Sequence, residues 1–139
     1  MTQIIYPMFA LVVLTFAVGL SLGISRLISA KKGKVNRKYF KLFSGYEAPD
    51  NIVKLSRNFS NLLEAPILFY TLGALVVALD INSSIILGSA WCFVALRLAH
   101  SLIHITYNNT IHRFLAFLVS SLLILIMWIE LIIIVSQRT

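Results

Sequence analysis

Residues 57–79 read RNFSNLLEAPILFYTLGALVVAL, a run long and apolar enough to cross a bilayer that nevertheless opens on Arg57, Asn61 and Glu64. About twenty helical residues cross a hydrocarbon core of roughly 30 Å. An arginine near the middle of that core costs about 2.5–3.5 kcal/mol on insertion scales, so such residues are not carried without compensation. At helical spacing the three fall at i, i+4 and i+7, on one face. The stretch 84–106 repeats the pattern: Arg97, His100 and His104 run i, i+3, i+7, and Tyr107 continues at i+10. Two polar stripes inside apolar helices point to a shared hydrophilic binding site.

Outward from this stretch the chain is apolar throughout. Of its 139 residues 59% are hydrophobic, and the mean hydropathy is +0.90, far above an ordinary globular domain. Four spans are expected, at about 4–25, 57–79, 84–106 and 114–135. Little is left over, so residues 1–139 form a single integral membrane domain. Lipid-exposed backbone must satisfy its own hydrogen bonds, and with such short polar loops the expected fold class is an all-α four-helix membrane bundle. The first span lacks a basic leader and is too long for the apolar core of a secretory signal, so it reads as part of the mature protein. Tyr6 suits the interface and Pro7 the first helical turn. Gly19 and Gly23 have the GxxxG spacing that permits close helix approach.

The formal net charge is +7, from 12 Lys+Arg against 5 Asp+Glu. The excess is local: Arg26, Lys31, Lys32, Lys34, Arg37, Lys38 and Lys41 fall in the expected first loop. A nucleic-acid partner would need a soluble basic domain, and the sequence offers none. The positive-inside rule places this loop in the cytoplasm, hence both termini on the non-cytoplasmic side; the same residues suit anionic lipid headgroups, making membrane lipids expected partners. Tyr39, Phe40, Leu42 and Phe43 interrupt the charges, as in a segment lying among headgroups. The turn-rich pieces are 32–34, 44–51, 80–83 and 107–110, with Ser83 or Ser84 as N-cap of the third span. Cys92, the lone cysteine, lies within that span and reads as a small hydrophobe.

Depth brings the stripes together. At 1.5 Å per residue, Glu64 lies roughly 10 Å inside the cytoplasmic face; His104, His100 and Arg97 lie roughly 5, 10 and 15 Å from the same face. Arg113 begins the fourth span there and Arg26 ends the first. Glu64 and Arg97 read either as a buried ion pair locking the bundle or as ligand contacts. Asn61 reads as an interhelical hydrogen bond or a ligand contact, and Arg113 as a solvated flank or a chemical group. His100 and His104 could chelate, but no third ligand lies at useful spacing, so no metal is expected. Glu130, in the outer half of the fourth span, reads as a packing or subunit contact.

The spacing Arg57-x3-Asn61-x2-Glu64, then Arg97-x2-His100, then Arg113 opening the last span, resembles the MAPEG superfamily, the membrane-associated proteins in eicosanoid and glutathione metabolism. The resemblance covers nearly the whole chain and looks most like its bacterial branch, which implies the bacterial inner membrane. Departures are His104 where the family usually has tyrosine, Phe114 where the prostaglandin branch has serine, Ser60 in place of a second arginine, and Pro66 unusually close to Glu64. The resemblance implies a homotrimer with sites between subunits. It also implies a glutathione-dependent transferase or peroxidase acting on hydrophobic electrophiles, with glutathione as co-substrate and an apolar small molecule as acceptor. On this reading Arg113, aided by Arg26, stabilises the thiolate and is the catalytic residue. Arg57 and Arg97 hold the carboxylates, Glu64 takes the ammonium, and Asn61, His100 and His104 bond the peptide groups. The alternative is a non-catalytic lipid-binding protein of the same fold. A small multidrug exporter would need an acid in its first span, and 4–25 has none.

Overall fold

The computed structural model describes residues 2–36, 38–43, 45 and 47–138; the basic Arg37 and the turn residues Ser44 and Tyr46 lie outside the described residues. After a 3-10 turn at Thr2–Ile4 come α1 (Ile5–Lys31), α2 (Tyr39–Leu42), α3 (Asp50–Glu64), α4 (Pro66–Ala78), α5 (Ser84–Ile105) and α6 (Thr110–Ser136). Four segments are long and apolar enough to cross a membrane: α1, α3 with α4 as one 29-residue span, α5 and α6. Consecutive spans are antiparallel neighbours, α5 packing most extensively on α6 and α1 on α3. The chain is thus an all-α, multi-pass membrane bundle.

Local chemistry sets the helix starts. Ser83 caps α5, its hydroxyl accepting from the Ile86 amide at 3.3 Å. Asn109 caps α6, its side-chain oxygen accepting from Ile111 and His112 amides at 2.9 and 3.1 Å. Each cap satisfies amide donors that a helix start leaves orphaned. Asn108, one residue earlier, is left-handed at φ 53°, the conformation asparagine tolerates best after glycine.

The apolar core fills the half of the bundle away from the basic loop. Leu11 (α1), Phe69 and Leu72 (α4), Ala90 and Phe93 (α5) and Met127 (α6) are fully buried, and the Phe69 and Phe93 rings lie 4.8 Å apart between centroids. A smaller cluster at the other end joins Leu22, Val35 and Ile52, flanked by Tyr39, Phe40, Leu55 and Phe59. The first loop is therefore anchored by its own core as well as carrying charge. Of the GxxxG pair, Gly19 matters in this chain: a Cβ there would meet the Phe59 ring at 2.9 Å, whereas one at Gly23 meets nothing. Gly73 gives α4 a similar closeness to α1, with the Met8 sulfur 2.5 Å from where its Cβ would be.

Several boundaries differ from the sequence-based expectation. α1 runs on to Lys31, so Arg26 and Lys31 are helical and not in the loop. The second span begins at Asp50 instead of about 57 and is interrupted at Ala65, where Pro66 follows. α6 begins at Thr110 instead of about 114. All three extensions are at the end that carries the basic loop. Hydropathy marks where oil ends, while backbone hydrogen bonding continues until a cap or turn stops it.

Candidate functional site

At that end a cavity of about 520 Å³ opens between α3, α5 and α6, lined by Ser56, Arg57, Ser60, Asn61, Glu64, His100, His104, Thr110, Arg113, Phe114 and Phe117. Arg57, Asn61 and Glu64 come from α3, His100 and His104 from α5, and Arg113 from α6. The two stripes therefore share one space, and six of the eight residues singled out from sequence stand around it. A recess of about 250 Å³ adjoins it, lined by Asp50, Val53, Lys54, Arg57, His104, Asn108 and Arg113. Arg57, His104 and Arg113 belong to both walls.

Arg113 is the most constrained of the lining cations. Its Nη1 donates to Asn108 Oδ1 at 2.7 Å and lies 3.2 Å from His104 Nε2. A guanidinium only donates, so Nε2 accepts and His104 carries its hydrogen on Nδ1. That Nδ1, like His100 Nδ1, is buried with no partner among the described residues. The imidazoles stand edge to face, centroids 5.7 Å apart. Two N–H-bearing or accepting ring positions are thus held in place with hydrogen-bonding capacity unused. Unused capacity in a buried polar site is a place for a ligand or ordered water.

Asn61 does not bridge helices with its side chain. Its Nδ2 donates to the Arg57 carbonyl at 3.0 Å within α3. The interhelical bond is made one turn earlier, where Ser101 Oγ donates to Asn58 Oδ1 at 2.9 Å, with both residues buried.

Two sequence-selected residues do not reach the cavity. Arg97 is 0% exposed and donates from Nη2 to the Asn61 backbone carbonyl at 2.7 Å. Its expected ion pair with Glu64 is absent among the described residues; Glu64 is exposed and faces the cavity. Arg26 donates to Ser56 Oγ at 3.0 Å and stacks over the Phe43 ring at 4.7 Å, fastening α1 and the first loop to α3. Glu130 lies at the opposite end, accepting from Ser83 Oγ at 3.0 Å. Among the described residues no three His, Cys, Asp or Glu gather as a metal centre would require.

Chemically, the lining offers two guanidinium groups, one carboxylate, several neutral hydrogen-bonding groups and an apolar wall of Phe114 and Phe117. That set suits a zwitterionic, multiply anionic ligand beside an apolar one. A family model, that of the MAPEG family, matches residues 4–133. The chain belongs to the MAPEG family. MAPEG members are largely glutathione-dependent transferases and peroxidases. No curated protein and no solved structure matches the chain.

In this MAPEG chain the sequence reading passed over Ser56, Thr110, Phe117 and Asn108 as site residues. Ser101 is absent from the sequence expectation as well, although its spacing carries a signal: it sits four residues from Arg97 on the same α5 face. Asn108 was read only as a turn former, and nothing in its spacing shows that the left-handed backbone turns its amide toward Arg113. Phe117, one turn after Arg113, looks like any lipid-facing aromatic in a sequence so apolar.

Proposed function

We propose that this MAPEG protein is a glutathione-dependent transferase or peroxidase acting on hydrophobic electrophiles. The observation that carries the reading is Arg113, held by Asn108 and His104 at the junction of cavity and recess with Phe114 and Phe117 beside it. A free thiol with a pKa near about 8.5 is mostly protonated at neutral pH, and an adjacent guanidinium favours the thiolate. Arg113 stabilises that thiolate as the proton leaves toward water at the cavity mouth. The thiolate then attacks an acceptor that reaches the phenylalanine wall from the bilayer: sulfur bonds to carbon as the leaving group departs with its electron pair, or to the outer oxygen of a hydroperoxide as the O–O bond breaks and the alkoxide leaves to take a proton from water. Holding the two together supplies much of the rate.

Arg57 binds one glutathione carboxylate through a forked contact, and Lys54 in the adjoining recess lies at hand for the second. Glu64 accepts from the α-ammonium group, and Asn61, His100 and His104 bond the peptide groups. The cavity volume of about 520 Å³ lies in the range of about 300–1,000 Å³ typical of small-molecule sites.

The functional unit on this reading is a homotrimer. Arg57 and Glu64 are exposed in a single chain, inside a segment that spans the membrane by length and composition. Charged groups open to acyl chains are costly; a neighbouring copy closes the cavity and leaves its mouth on the cytoplasmic side, with both termini across the membrane.

The test is glutathione binding by calorimetry on detergent-purified protein, with conjugation of an aryl halide followed spectroscopically. Saturable binding with thiol-dependent turnover is expected. If millimolar glutathione neither binds nor raises the melting temperature, the transferase reading is lost. Co-purified lipid without thiol dependence would then favour the non-catalytic lipid binder.

A further inference from the structure

α3 and α4 form one span whose hydrogen-bond ladder is interrupted at Ala65–Pro66. Pro66 has no N–H, so the carbonyl four residues earlier, at Leu62, loses its intrahelical donor and is crowded by the proline ring. The last carbonyls of α3 thus form a helix C-terminus, with its partial negative charge, inside a segment long and apolar enough to span a membrane. Asn61 supplies the carbonyl beside that of Leu62. Arg97 of α5 donates to it at 2.7 Å.

Arg97 is fully buried and is absent from the lining of both the cavity and the recess. The Phe117 ring, which does line the cavity, lies 6.0 Å from its guanidinium carbon. Asn61 and Glu64, carried on the turn that Arg97 grips, do line the cavity. A cation at a helix C-terminus is favourable electrostatically. The delocalised guanidinium, more weakly hydrated than an ammonium, is the cation best suited to burial.

We propose that Arg97 is a positioning residue: it caps the broken end of α3 and so fixes how Asn61 and Glu64 face the cavity, without itself touching the ligand's carboxylates. The Pro66 break and Arg97 are then two parts of one device. Proline frees the end of α3, and arginine holds that end in a single place. This assigns Arg97 a different role from the carboxylate contact expected from sequence. Its binding consequences rest on the glutathione reading; its structural consequence does not.

The experiment compares wild type, Arg97→Met and Arg97→Lys in detergent. Affinities are measured for glutathione and for its diethyl ester, which has no free carboxylate. Hydrogen exchange over residues 61–68 is followed by mass spectrometry without ligand. Arg97→Met is expected to weaken acid and diester by the same factor, about tenfold, the size of one hydrogen bond to a charged group. Arg97→Lys, which keeps a donor and the charge, restores most of that loss for both ligands. Exchange over 61–68 is faster in Arg97→Met, with Arg97→Lys between it and wild type. The proposal is overturned if either variant weakens only the acid form, which would make Arg97 a carboxylate contact, or if exchange over 61–68 is unchanged. Should Arg97→Met fail to fold, the acid-to-diester ratio and exchange rate of Arg97→Lys decide alone. Should wild type bind neither ligand, the glutathione reading falls and the exchange data still decide the role of Arg97.

Discussion

The two ends of the bundle are built on opposite terms. Away from the basic loop, Phe69, Leu72, Phe93 and Met127 interlock at zero exposure, and the polar pair there, Ser83 with Glu130, is mutually satisfied. At the basic end Arg26 Nε, Asn58 Nδ2, Arg97 Nε and Nη1, and Nδ1 of His100 and His104 are buried without partners among the described residues. Unpaired buried polar atoms cost free energy, so they persist where a ligand, water or a second chain completes them. One end is closed by its own packing, and the other leaves polar groups to be completed from outside the chain.

The largest effect on this contrast is expected from Phe69→Ala, which should lower stability by about 3–5 kcal/mol. Thermal unfolding in detergent should register it, while glutathione affinity of the folded fraction stays within twofold of wild type. A large affinity loss would show that the ends are not separable. Arg113→Ala should do the reverse, reducing aryl-halide conjugation about 10²–10³-fold, as loss of a preorganised charge-stabilising donor does, with binding and melting temperature much less affected. Gly19→Val should cost about 1–3 kcal/mol through overpacking, because its side chain meets the Phe59 ring, while Gly23→Val should cost nothing measurable in the same unfolding assay. The bond between Ser83 and Glu130 should have the smallest effect, about 0.6 kcal/mol, the usual size of a polar contact between membrane helices, in addition to the roughly 1 kcal/mol that Ser83→Ala loses with the cap of α5. A double-mutant cycle of Ser83→Ala with Glu130→Ala measures that bond alone, and additivity there would remove the polar pair from the account of the end that holds the apolar core.

Much of this contrast was legible in sequence. The four spans follow from hydropathy, and the stripes Arg57–Asn61–Glu64 and Arg97–His100–His104 follow from helical periodicity and depth. Spacing fixes which residues share a helix face, but not where a long side chain ends. Arg97 and Arg26 carry flexible stems that reach past their nearest neighbours, one to a backbone carbonyl, the other to Ser56 and Phe43. Asn108 escaped because its role depends on a single left-handed residue. Glu130 reads in sequence as a packing or subunit contact, and its bond to Ser83 is one within the chain.

The extensions of α1, α3 and α6 past the expected spans fall at the same end as the cavity. A span that does not match its bilayer is accommodated by tilting, or by thinning or thickening of the lipid, at a modest cost for each ångström. Helical turns that carry on past the apolar stretch keep the walls of the cavity hydrogen-bonded along their own length on that side, whatever the thickness of the surrounding lipid.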